Sequence, residues 1–325
     1  QGTAFGVGQL SSLITYGFMM LMALMMLSFV FAMIIIAEEG ARRICEVLLA
    51  TSTINNPENP LTEVTDGSID FENVGFSYSG PEGREALSDV DLHINSGEVI
   101  GIIGGTGSAK STLVQLIPSL YDVTAGSVSV GGHNVKDYDI DTLRGAVAMV
   151  LQKNVLFSGT IKENLLWGNP DATDEEILEA ARLAQADSFV QTFPDKYETH
   201  IEQGGNNVSG GQKQRLCIAR ALLRRPKVLI LDDSTSAVDT KTDSLIRSGL
   251  KDFLPDTTKI IIAQRTSSIE ESDKIIVLDN GRINAIGTHK ELLKDNPIYR
   301  EVYFSQNKQS VDENQSQEGE VTSHE

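Results

Sequence analysis

The residues whose types and spacing could do chemistry begin in the run Val99 to Thr112. Val99-Ile100-Gly101-Ile102-Ile103 reads as a buried strand, Gly104-Gly105-Thr106-Gly107-Ser108-Ala109 as a loop of small side chains, and Lys110-Ser111-Thr112 as the start of a helix. Such a loop exposes successive backbone N–H groups at a helix N-terminus, where the partial positive charge favours a polyphosphate. Lys110 would reach the outer phosphates, and Ser111 would offer its hydroxyl to Mg²⁺.

A second anion-binding helix start lies at Val208-Ser209-Gly210-Gly211-Gln212-Lys213-Gln214-Arg215, ahead of a helical pattern through Leu223. Ser209 is placed to cap it, and the glycines expose its first N–H groups. Beyond it the apolar strand Val228-Leu229-Ile230-Leu231 ends in Asp232-Asp233, the place where an NTPase holds Mg²⁺ and its attacking water. Ser234-Thr235-Ser236-Ala237-Val238-Asp239 follows directly.

In this order the phosphate loop, the serine-glycine-glycine-glutamine segment and the strand ending in acids resemble the nucleotide-binding domain of ABC transporters, over about residues 68–303. The resemblance implies an α/β fold, a P-loop NTPase (ABC ATPase) domain with a β-subdomain and a helical subdomain, and it implies ATP and Mg²⁺ as cofactors. It also assigns roles. Tyr78 resembles the aromatic that stacks on adenine, and residues 104–112 cradle the phosphates. Gln152 matches the glutamine that touches Mg²⁺ and senses the membrane domain, and Asp232 the acid that holds Mg²⁺ through water. Ser111, Gln152 and Asp232 thus form the expected metal set. Ser209, Gly210, Gly211 and Gln212 are the signature that completes a site on a partner chain. Asp239 matches the aspartate of the crossing loop by position alone.

Three departures stand against these matches. The strict phosphate-loop pattern has Gly where this chain has Ala109, and whether the extra methyl crowds the phosphates depends on the dihedrals there. Competent members carry Glu after the Mg²⁺-binding Asp to polarise water, whereas Asp233 is one methylene shorter. A misplacement of about 1 Å can cost on the order of 10²-fold in rate. Members also carry His in the loop after the next strand, where this chain has Gln264, which can donate a hydrogen bond to a γ-phosphate but cannot carry an imidazolium's charge. The catalytic candidates are therefore Asp233 and Gln264, in a site expected to hydrolyse weakly.

In this family two nucleotide-binding domains sandwich two ATP molecules head to tail, each site pairing one chain's phosphate loop with the other's signature. A flawed own site beside an intact signature resembles the degenerate-site half of a heterodimeric bacterial multidrug-type exporter. Two other readings stay open. One is a soluble ABC ATPase of DNA repair or translation, which membrane extraction would exclude. The other is a regulatory nucleotide-binding subunit, which turnover measured with and without a partner would separate.

The elements that must position these residues follow from patterning. From Ser68 onward short β-rich runs (69–76, 99–103, 147–151, 228–231, 259–262, 274–278) alternate with helical patches (111–117, 174–184, 210–223, 240–253), the signature of a mainly parallel sheet. Before them, Leu10 to Ile36 is an apolar run, and no Asp, Glu, Lys or Arg occurs from Gln1 to Ala37. Roughly 20 residues cross the hydrocarbon core of a bilayer, so the run can span it with tilt. It is too apolar on every face for a half-buried core helix, and it lacks the basic start of a signal peptide.

The expected organisation is an extracytoplasmic loop remnant at 1–9, a transmembrane helix at 10–37, a cytosolic extension and linker at 38–67, the nucleotide-binding domain at 68–304 and a disordered acidic tail at 305–325. Arg42 and Arg43 put the helix's C-terminal end on the cytoplasmic side. Exporter halves of this kind carry six such helices, so the chain reads as the C-terminal part of a multi-pass cell-membrane protein with its nucleotide-binding domain in the cytosol, or else its remaining helices belong to another polypeptide. The tail is rich in Gln, Ser, Asn, Asp and Glu and reads as solvated.

Composition limits the partners. The formal net charge of −18 over 325 residues argues against a generic nucleic-acid surface. Cys45 and Cys217, the two cysteines, are too few for a disulfide framework and are spaced unlike a zinc site. The expected partners are a second exporter half, membrane lipid and a transported solute, with no nucleic acid. Trp167 and the acidic stretch 174–184 read as packing and solvated charge in the helical subdomain.

Overall fold

The computed structural model describes residues 6–233 and 238–306, in two units, 1–53 and 54–325. In the first unit α1 (Val7–Leu48) is a 42-residue helix with no buried residue. Its Leu, Met and Ala favour helix, and it is apolar all round in its first three quarters. An 18-residue window of α1 reaches a mean hydropathy of 2.7, so the helix is long and apolar enough to cross a membrane. At 1.5 Å per residue, residues 7–37 extend for roughly 45 Å, more than a hydrocarbon core of about 30 Å requires. The hydroxyls of Ser12 and Thr15 donate back to the carbonyls of Gly8 and Ser11, which hides them from an apolar solvent. The last turns are charged: Glu39 pairs with Arg42 at 2.8 Å and with Arg43 at 3.4 Å. These pairs are exposed and contribute little to stability.

The second unit holds two principal sheets. One is a four-stranded antiparallel sheet in the order β2-β1-β4-β5, made of β1 (Ile69–Phe76), β2 (Leu87–Ile94), β4 (Ala125–Val130) and β5 (His133–Asn134). The other has six strands in the order β12-β11-β3-β10-β9-β6, comprising β3 (Val99–Ile103), β6 (Val147–Val150), β9 (Val228–Asp232), β10 (Thr258–Ile262), β11 (Lys274–Asp279) and β12 (Arg282–Gly287). All neighbours in it are parallel except the β11–β12 edge hairpin. A short pair, β7 (Gly159–Thr160) with β8 (His200–Ile201), stands apart. The helices are α2 (Lys110–Leu116), α3 (Ile140–Ala146), α4 (Ile161–Leu166), α5 (Asp174–Leu183), α6 (Asp187–Val190), α7 (Gly210–Leu222), α8 (Thr240–Phe253) and α9 (His289–Asp295). Residues 297–306 are also helical, so the helix takes in residues 305 and 306, and residues 307–325 lie outside the described residues.

The six-stranded sheet is covered on both faces, which is why its strands read as continuous apolar runs. Alternate residues of one strand enter different cores: Val228 and Ile230 join the cluster under the antiparallel sheet and α2, while Leu229 and Leu231 join the cluster under α4–α7. The 69–76 run belongs to the antiparallel sheet, not to the parallel one. Its partner β2, Leu87-Ser88-Asp89-Val90-Asp91-Leu92-His93-Ile94, buries alternate residues from Val90 to Ile94, after a register shift that separates them from buried Leu87. That is the period-two pattern of a strand with one dry face.

Register fixes where the working loops emerge. Ile262 lies opposite both Ile102 and Asp232, and Leu231 lies opposite Val150. The carboxyl ends of β3, β6, β9 and β10 therefore line up, and the loops that follow them leave from one edge of the sheet, where open parallel sheets bind ligands.

Candidate active site

The loop after β3 is shaped by its small residues. A Cβ on Gly104 would sit 2.2 Å from the carbonyl oxygen of Leu278, so only glycine allows the turn off the strand. Gly107 has φ +80°, the left-handed region glycine enters without strain. Among the described residues, the N–H groups of Gly105, Thr106, Gly107, Ala109, Lys110 and Ser111 find no internal acceptor. A row of unspent donors ending at a helix start is the donor set a polyphosphate needs.

Ala109 precedes α2 at φ 69°, ψ 25°, in the left-handed region. Its backbone conformation is the one glycine would supply, and its methyl packs against the core beneath the antiparallel sheet. The substitution thus costs backbone strain of about 1 kcal/mol. Lys110 folds over the loop: Nζ donates to the carbonyls of Gly104 at 2.8 Å and Gly105 at 2.9 Å and to Ser108 Oγ at 3.3 Å. Burial holds the ammonium below its ordinary pKa, opposed by the carboxylates of Asp232 and Asp233. Ser108 and Thr112 are buried, and Ser111 is exposed.

The aromatic carried by the turn after β1 reaches the same helix. The hydroxyls of Tyr78 and Thr112 are hydrogen-bonded at 3.0 Å. The Tyr78 ring meets Phe76 edge-on at 4.8 Å and Tyr121 at 5.2 Å, yet it stays 56% exposed, which leaves a face for stacking. Tyr121 has no signal in the linear sequence, and folding alone brings it to this cluster.

Asp232 ends β9 and is buried, and Asp233 follows it with φ 49°. The N–H of Asp233 donates to the carbonyl of Ile262, which ties the acid to the end of β10. Its Oδ2 accepts from Gln152 Nε2 at 3.1 Å and from Gln264 Nε2 at 2.6 Å. Burial pushes the Asp233 carboxyl above its ordinary value; the Gln152 bond pulls it back, the charge of Asp232 adds to the rise, and the Gln264 bond opposes it. The loops after β6, β9 and β10 thus meet at one carboxylate oxygen. With its Nε2 committed to Asp233, Gln152 keeps Oε1 as its acceptor.

The residues suit Mg²⁺ only with phosphate present. Among the described residues there is no group of three or more His, Cys, Asp or Glu able to hold a metal. A hydroxyl, an amide oxygen and one buried carboxylate are a hard-oxygen set that leaves positions for water and phosphate oxygens.

Ser209 to Gln212 stand elsewhere: among the described residues no hydrogen bond joins them to the phosphate loop. Ser209 Oγ accepts from Gln212 N–H at 3.2 Å and Gln212 Oε1 accepts from Ser209 N–H at 2.9 Å, closing a capping box at the head of α7. The Ser209 hydroxyl proton is not used by the cap. Residues 234–237 of the segment after Asp233 lie outside the described residues; Asp239 beyond them caps α8, its Oδ1 accepting from Thr242 N–H at 2.9 Å. Trp167 is not a packing residue: it is 65% exposed and stacks on Phe157 at 4.3 Å, beside a groove of about 260 Å³ that Arg220 also lines.

Fold and site define a class: the chain carries an ABC transporter nucleotide-binding domain, an ABC-type ATPase built on the P-loop NTPase fold and accompanied by one N-terminal apolar helix. Residues 87–236 match the family model described as ABC transporter. Over 245 residues the chain is 45% identical to a protein of Staphylococcus aureus strain NCTC 8325 / PS 47 that bears the name multidrug export ATP-binding/permease protein, covering 75% of this chain and 42% of that one. The counterpart from strain bovine RF122 / ET3-1 is 44% identical over the same length. A solved bacterial Atm1-family ABC exporter with ATP bound superposes with a TM-score of 0.78 at 32% identity, covering 93% of this chain and 52% of that one. The chain therefore spans about half the length of the relatives it matches.

Proposed function

We propose that this chain is the ATP-binding part of one half of a membrane exporter, holding ATP at a weakly hydrolytic site of its own and lending its signature helix to a competent site on a different partner half. The observation that carries the reading is the state of Asp233. It is the acid directly after Asp232 at the end of β9, it is one methylene shorter than the family's glutamate, and its Oδ2 is engaged by the amides of Gln152 and Gln264. One of its oxygens is thus spent on two neutral donors while its shorter stem limits its reach towards an attacking water, and a neutral Gln264 brings no positive charge to a γ-phosphate.

In this reading the adenine ring stacks on Tyr78, the N–H groups of residues 105–111 bind the phosphates, and Lys110 exchanges its loop carbonyls for phosphate oxygens. Ser111, Gln152 and Asp232 would hold Mg²⁺, which when bound neutralises charge on the outer phosphates. The Ser209 hydroxyl, free to donate while its oxygen keeps the cap, serves the γ-phosphate of the partner's ATP. Closure of the two domains on nucleotide would switch the membrane helices between inward and outward access. The names of the Staphylococcus aureus relatives support multidrug export. The deciding experiment is ATP hydrolysis by the chain alone and with a candidate partner half. The reading expects turnover only in the pair, and brisk turnover by the lone chain would overturn it.

A further inference from the structure

The loop that carries Gln264 is held at two ends by different elements. Its far end is gripped by α8, where Arg247 Nη1 donates to the carbonyl of Ser267 at 3.1 Å and Ser268 Oγ donates to Asp243 Oδ2 at 3.3 Å. Its near end depends on one side chain from the end of the chain's last described helix. Gln306 Nε2 donates to the carbonyl of Gln264 at 2.7 Å, and Gln306 Oε1 accepts from the N–H of Thr266 at 2.9 Å and from its hydroxyl at 3.2 Å. One amide thus reads the backbone on both sides of Arg265, in the way a strand neighbour would.

The helix bearing Gln306 is firmly seated. Tyr299 within it is fully buried, its N–H donates to Asn296 Oδ1 at 2.9 Å, and its hydroxyl is hydrogen-bonded to His289 Nδ1 at 2.7 Å. Gln264 in turn donates to Asp233 at 2.6 Å. An unbroken series of contacts therefore runs from the helix 297–306, through the main chain of residues 264–266, to the carboxylate after β9.

We propose that Gln306 is a positioning residue, whose side-chain amide fixes the backbone carrying Gln264 and so sets this site's preference for nucleoside triphosphate over diphosphate. This rests on Gln264 being the contact to the terminal phosphate. The diphosphate lacks that phosphate, so loosening the loop weakens binding of the triphosphate alone. Three neutral hydrogen bonds to the loop are lost, and if the terminal-phosphate contact feels about one bond's worth of that loss, the preference falls roughly three- to tenfold.

The test uses the full chain in detergent with Mg²⁺, titrated with ATPγS and with ADP by calorimetry. For Gln306→Ala the expected result is a roughly three- to tenfold weaker ATPγS affinity with ADP affinity within about twofold of the parent. Gln306→Glu keeps the acceptor for Thr266 but loses the donor to Gln264, and it is expected to lose part of the preference while folding like the parent. An unchanged ATPγS-to-ADP ratio in both variants, or equal weakening of both nucleotides, would overturn the proposal. Lys110→Ala tests the site itself: if that variant kept parental affinity for both nucleotides, the site reading would fail whatever Gln306 does.

Discussion

Gln264 and Asp233 are bonded to each other, Nε2 to Oδ2 at 2.6 Å. The two side chains that depart most from an ABC ATPase's catalytic pattern are therefore direct partners. A shortened carboxylate and a neutral amide satisfy one another, and Gln152 adds a second donor to the same oxygen. On the proposed reading this pairing leaves the site quiet, where a longer acid and an imidazole would each reach for water and phosphate.

Restoring reach is expected to restore hydrolysis. Asp233→Glu in the assembled pair is expected to raise steady-state ATP hydrolysis about tenfold, within the range that roughly 1 Å of catalytic placement commands. Adding Gln264→His is expected to exceed the product of the single effects, because the residues touch. A double variant no faster than the parent would mean that reach and charge at these positions are not what holds the site back.

The left-handed backbone at Ala109 makes a separate stability prediction. Ala109→Gly relieves strain at φ 69° while losing a small core contact, and it is expected to stabilise the domain by at most about 1 kcal/mol, or up to roughly 2–4 °C in melting temperature. Thermal unfolding with and without nucleotide checks this; a lower melting temperature would contradict it.

Asp233 also sets a pH dependence. Its folded pKa lies above the ordinary 3.8 because of burial foremost. A carboxyl raised in the folded state contributes stability that is present below the unfolded value and is lost as pH rises through the folded one. The parent is thus expected to lose stability relative to Asp233→Asn as pH climbs from about 4 towards neutrality. Melting temperatures across that window measure the difference, and a gap that narrows with rising pH would refute the sign.

Ser209 caps α7, and the proposed function gives its hydroxyl a second, separable job. Ser209→Ala removes the cap and costs about 1 kcal/mol, whereas Ser209→Gly loses only a few tenths. Both remove the hydroxyl, so both are expected to cut turnover of the assembled pair by at least about tenfold, as loss of an aimed donor does. Full activity in the glycine variant would show that the hydroxyl serves only the helix.

Much of this site was legible because its parts are local. A strand, a run of small residues and a lysine at a helix start define the phosphate loop within residues 99–112, and Asp232 is marked by the apolar strand that ends on it. What the sequence hid was what folding assembles from distant segments. The bond from Gln264 to Asp233 spans 31 positions, and that from Gln152 to Asp233 spans 81. No period in the chain announces Tyr121 beside Tyr78 or Gln306 beside Thr266. The antiparallel sheet is poorly marked in the sequence because β4, Ala125–Val130, carries Gly126, Ser127 and Ser129, which look like a turn until β1 pairs with them. Ala109 needed its dihedrals: a methyl in a glycine position is harmless or strained according to φ, and φ is not in the sequence.

The central claim is that this chain's site keeps its ATP while the partner's site turns over. The most direct measurement loads the assembled, membrane-embedded pair with radiolabelled ATP, chases with unlabelled Mg-ATP, and follows the label crosslinked near Lys110 through many turnovers. The account predicts labelled triphosphate retained on this chain after the partner site has cycled repeatedly. Label leaving this chain as ADP at the rate of overall turnover would contradict it.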